Sequence, residues 1–72
     1  MNERIEAIVN DYLDANCILA VAIQKIKSLH QSMQATYYEV SCALTDIGVM
    51  SGDATKLLHS WEQELNETVQ LA

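Results

Sequence analysis

Seventy-two residues with ten acidic and four basic side chains give a net charge of −6. Only Lys25 and Lys27 stand close together, so nucleic acid and anionic membrane surfaces are disfavoured as partners. The longest apolar run covers residues 17–23, far short of the ~20 a membrane span needs, and no basic leader opens the chain. These features lead us to expect a soluble cytoplasmic protein forming one domain over residues 1–72. A chain this short buries only ~60% of the surface it exposes when unfolded, so its own core is marginal.

The N-terminal stretch carries thirteen positions on a strict three-four spacing, and twelve of them are apolar. They are Ile5, Ile8, Tyr12, Ala15, Leu19, Ala22, Ile26, Leu29, Met33, Thr36, Val40, Ala43 and Ile47; only Thr36 is polar. Half of all residues are apolar, so chance would fill about half of the thirteen. This regularity predicts one long helix over residues 3–47, opened by Glu3 and Glu6 at the positive end of its dipole. Gly48 is placed to stop it in a left-handed conformation. A turn over residues 48–52 follows, and Asp53, with Ser51 as competitor, serves as N-cap. A second helix is predicted over residues 54–71, with an apolar face of Leu57, Leu58, Trp61, Leu65, Thr68, Val69 and Ala72.

The fold class is therefore all-α: an antiparallel helical hairpin assembling as a coiled coil or four-helix bundle. The alternative is a three-helix bundle. Residues 28–38 contain no charge and several poor helix formers, so the long helix could break there.

The two helices differ greatly in length, roughly 68 Å against roughly 27 Å. The shorter one covers only part of the longer, yet the uncovered half is the most apolar. Such a stripe marks an interaction site. The expected partner-binding residues are Tyr12, Ile18, Leu19, Val21, Ile23 and Ile26, meeting either a second copy or another protein's helix.

Nothing points to catalysis, a cofactor, a metal or a small-molecule substrate. His59 and Glu62 could share a metal, but two ligands do not make a site. His30 reads as a packed or rim histidine. Cys17 and Cys42 would lie roughly 37 Å apart on a straight helix, too far for a bridge. Free thiols in a reducing compartment are expected. Tyr37, Tyr38 and Trp61 are expected to meet as an aromatic anchor, Met33 and Met50 to fill gaps, and Glu62, Glu64 and Glu67 to be solvated.

Gly52-Asp53-Ala54, then Trp61, then acidic and apolar positions to Leu71 resemble the second helix of the small co-chaperones of type III secretion needle proteins. Small size, acidity and helical character agree. The resemblance implies a protein that packs on a larger helical-repeat chaperone and keeps a needle subunit's amphipathic helix from polymerising. It implies that Leu57, Trp61 and Leu65 lie inside the hairpin, while Ile18, Val21 and Ile23 meet the partner. The functional expectation is a non-enzymatic interaction module of chaperone type. An acidic inhibitor or antitoxin-type regulator of a basic target, and a structural homo-oligomer, are the alternatives.

Overall fold

A computed structural model describes the backbone of residues 2–71 and the side chains of residues 2–67. The described chain is all-helical: α1 (Glu3–Leu13), α2 (Leu19–Gln31), α3 (Tyr37–Asp46) and α4 (Ser51–Leu71). The single helix expected over residues 3–47 is thus three helices, and the two-helix hairpin is replaced by four elements. A rod of roughly 68 Å cannot fit a body whose longest extent is 39 Å. One break, at 32–36, falls inside the suspected uncharged stretch. The other, at 14–18, does not.

All three helix ends use the same device. Asn16 N–H donates to the Asp11 carbonyl while Ala15 N–H donates to the Tyr12 carbonyl. Gln34 and Met33 repeat this pattern on Leu29 and His30, and Val49 and Gly48 repeat it on Leu44 and Thr45. These paired bonds are Schellman stops, which place the residue after the cap in the left-handed region. Gly48 takes that region freely at φ +94°, but Ala15 (φ 62°) and Met33 (φ 61°) bear a Cβ there. Each costs roughly 1–2 kcal/mol.

Burial explains why the chain accepts that cost. Bending twice brings Ile5, Ile26, Val40, Leu44 and Leu58 together, all fully buried, with Trp61 nearly so. Each large apolar side chain gains ~1.5–3 kcal/mol on burial, so five outweigh two strained turns. The three-four seam still selects the core face within each helix. Its interruptions fall on exposed Ala15, Leu19 and Met33, and on Thr36, which is an N-cap.

The helix directions follow from contacts at the two ends. Asn2, at the start of α1, meets Gln34 and Glu39 at the start of α3. At the other end Leu13 of α1 and Asp46 of α3 line one groove. The two helices therefore run in the same sense. Lys27 and Gln31 near the end of α2 meet Glu64 of α4, so α2 and α4 also run together, opposite to the first pair. α2 and α3 pack between the outer helices α1 and α4. α4 starts three residues earlier than expected, with Asp53 in its first turn rather than at its cap. Thr68, Val69 and Ala72 of its expected apolar face lie outside the residues whose side chains are described.

Candidate interaction surface

The two ends of the parallel α1–α3 pair are treated differently by the sequence. At the N-terminal end, Thr36 and Glu39 form a reciprocal capping box, the hydroxyl accepting from Glu39 N–H and the carboxylate from Thr36 N–H at 2.9 Å. The second oxygen of the same carboxylate accepts from Asn2 N–H at 3.1 Å. Asn2 in turn caps α1, its side-chain oxygen accepting from Arg4 and Ile5, and its amide donates to the Gln34 carbonyl. One carboxylate thus joins two helix N-termini, where the dipoles favour negative charge. The Thr36 amide holds the Glu39 carboxyl below its ordinary value, with the Thr36 hydroxyl and the Asn2 amide adding to the effect against partial desolvation.

At the C-terminal end each helix stops in its own backbone bonds, and among the described residues no side-chain hydrogen bond joins the two. Neither α1 nor α3 carries a basic residue in its last turn. Acidic groups stand there instead: Asp14 is the C-cap of α1, and Asp46 is the last residue of α3. From Ile5 to Gln24 there is no Lys or Arg at all. A groove of about 480 Å³ opens between the helices, with Val9 and Leu13 as its apolar surface and Glu6, Asn10 and Asp46 as its polar one.

Large apolar side chains face water at this same end. Leu13 is 61% exposed and Ile18 68% exposed, with Leu19, Val21 and Met50 also open. The local cause is legible. Ile18 is the N-cap of α2 but makes no side-chain capping bond, because it has no polar atom to make one. Ser, Asp or Asn would serve the fold better at this position.

Of the residues expected to meet a partner, Ile18, Leu19 and Val21 are exposed, and Tyr12 and Ile23 are half-buried against the core. Ile26 is a correction. It is 0% exposed, sealed where α2 crosses the core, and cannot meet another chain in this fold. Leu13 and Met50 join the exposed set, although neither was expected to meet a partner. The signal that could have found Leu13 is its adjacency to Asp14, a turn-forming residue at a helix end.

Other expectations change as well. Trp61 stacks obliquely on His30, with ring centroids 6.1 Å apart, while Tyr37 and Tyr38 are exposed rather than joined to it. Met33 and Met50 fill no gap; Met33 is 88% exposed. Leu57 and Leu65 are half-buried. Glu64 is not simply solvated: it pairs with Lys27 at 3.0 Å and accepts from Gln31 at 2.9 Å, and these contacts lower its pKa. His59 is exposed, and Glu62 turns instead toward His30, 4.0 Å from Nε2. That imidazole is packed with neither ring nitrogen hydrogen-bonded. Cys17 and Cys42 are free and half-buried, but the straight-helix spacing used to separate them no longer applies.

Among the described residues no three His, Cys, Asp or Glu side chains gather as a metal site, and no helix is long and apolar enough to cross a membrane. Comparison with known families, with curated proteins and with solved structures gives no match, so the reading of this surface rests on its own geometry.

Proposed function

We propose that this chain is a non-enzymatic protein–protein interaction module that shields an amphipathic helix of a secreted or polymerising partner. The observation that carries the reading is the open C-terminal end of the α1–α3 pair, where Leu13, Ile18, Leu19 and Val21 are each exposed. A partner helix laid across this corner buries its own apolar stripe against theirs, the helix-in-groove mode of recognition. The resemblance to type III secretion co-chaperones supports a secreted helical subunit as the client.

Magnitudes set the strength of such a contact. The combined exposure of the four side chains is about that of two whole residues, worth ~3–6 kcal/mol on burial. Association costs roughly 4–15 kcal/mol before any net affinity remains. The apolar corner alone therefore supports only weak, exchangeable binding, as suits a chaperone that must release its client.

A second reading, an acidic regulator that blocks a basic target, draws on the net charge of −6. Parallel affinity capture with the parent and Ile18→Asp tests the first reading. A helical partner held by the parent and lost by the variant is expected. Equal retention by both would sink it, and capture that depends on salt but not on Ile18 would favour the regulator.

A further inference from the structure

We infer that the partner's helix is basic, and that it places a Lys or Arg side chain in the groove that runs along α1 from Glu6 to Leu13 and meets the C-terminal end of α3 at Asp46. This deepens the interaction-module reading above and rests on it. The apolar corner alone gives weak, exchangeable binding, and the acidic groove beside it adds selectivity for the charge of the client.

Three independent features make this groove a cation acceptor. Glu6 and Asp46 line it, and neither has an ion-pair or hydrogen-bonding partner among the described residues. The backbones of α1 and α3 end here side by side, and each helix contributes the equivalent of about half a negative charge at its C-terminus. Among the described residues no cation pairs with them: the last turns of both helices lack one, and residues 5–24 contain none. Asp14 and Asp46 stand at helix C-termini, where acidic groups work against folding, whereas Glu6 stands in the first turn of α1 and lines the groove farther along that helix. A bound cation relieves the unfavourable charge at Asp46.

The geometry also sets the partner's pattern. Leu13 borders the groove and the exposed corner at once, so apolar and charged contacts lie next to each other. A helix with a leucine-type stripe flanked by Lys or Arg engages both; an acidic helix with the same stripe is repelled. A second copy of this chain fits poorly, because its own corner is acidic too.

The test uses two synthetic amphipathic helices with the same leucine stripe, one with lysines and one with glutamates on the polar face. Each is titrated into the full chain by calorimetry at low and at physiological salt. The lysine peptide is expected to bind at least tenfold more tightly than the glutamate peptide. The double variant Glu6→Gln/Asp46→Asn is expected to lose roughly tenfold, the size of two partly exposed ion pairs, and to lose less as salt rises. The double variant Glu3→Gln/Glu67→Gln, the same change in charge elsewhere, is expected to bind as the parent does. The single variant Asp46→Asn should lose part of the binding while unfolding at no lower a temperature than the parent, which separates lost binding from lost folding.

Equal binding of the two peptides, no binding of the lysine peptide, or equal losses in both double variants would each overturn the inference. If Ile18→Asp still abolishes capture of the natural partner in those cases, the interaction-module reading stands without it. A chain that dimerises alone through this groove, with sedimentation mass reduced by Glu6→Gln/Asp46→Asn, also overturns it and makes the second copy the occupant.

Discussion

The two ends of the α1–α3 pair are built from the same parts and finished in opposite ways. At one end Asn2, Thr36 and Glu39 close both helix N-termini with hydrogen bonds and a carboxylate of the right sign. At the other, both C-termini meet acidic residues and open apolar side chains. The first end lets this small chain hold its shape. The second holds features that cost stability and gain meaning only if something else covers them. The difference teaches where to look for function in an isolated helical domain: at the end that folding alone has no reason to leave unfinished.

The largest effect should separate two residues on α1. Ile5→Ala, at the closed end and fully buried, is expected to cost ~2–5 kcal/mol, enough to lose cooperative unfolding in a chain this small. Leu13→Ala, at the open end, is expected to change stability by no more than about 0.5 kcal/mol. Similar losses at both sites, measured by urea unfolding, would mean the open end is part of the core.

Capping offers a sharper contrast. Thr36→Ala removes a functioning cap and should cost ~1 kcal/mol, whereas Ile18→Asp supplies a missing one and should add ~0.5–1 kcal/mol. The same Ile18→Asp should remove partner capture, so stability and function move in opposite directions. A destabilised Ile18→Asp would show that Ile18 holds the fold together.

A smaller effect tests the dipole argument. Asp46→Lys is expected to raise stability by ~0.3–1 kcal/mol at low salt, fading as salt screens it. Its loss, or indifference to salt, would contradict an uncompensated negative end.

The smallest effect concerns acid. The folded-state pKa of Glu39 lies below its ordinary 4.5. Its contribution is therefore present above that value and lost as pH falls through the lower folded one. Glu39→Gln should lower the thermal midpoint at neutral pH, with the gap to the parent closing once the parent's carboxylate is protonated. A gap that persists in acid would assign the effect to shape rather than charge. Glu64, held down by Lys27 and Gln31, contributes in the same direction.

Part of this was legible beforehand. Of the seam, Ile5, Ile8, Ala22, Val40, Ala43 and Ile47 are buried, as is Ile26, which was expected to meet a partner, while Leu19 and Met33 are exposed. Gly48 marks a stop, because no other residue takes a positive φ as cheaply, and it adopts φ +94°. The Thr36–Glu39 box was equally present in the residues, as the one polar position of the seam followed three places later by Glu. The apolar spacing continues undisturbed across it and masks it. Ala15 carries no such mark: alanine is the best helix former, and nothing local predicts that it will turn left-handed.

Composition and spacing by themselves determined that this protein is helical and acidic, and which side of each turn of helix faces inward, because these depend on neighbours three or four residues away. Where the rod folds, and hence that Ile26 is hidden while Leu13 and Ile18 stay open, was decided only in three dimensions. A seam of constant period is satisfied equally by one straight helix and by three folded ones. The choice between them is made by burial summed over contacts distant along the chain, which outweighs the two strained turns it requires.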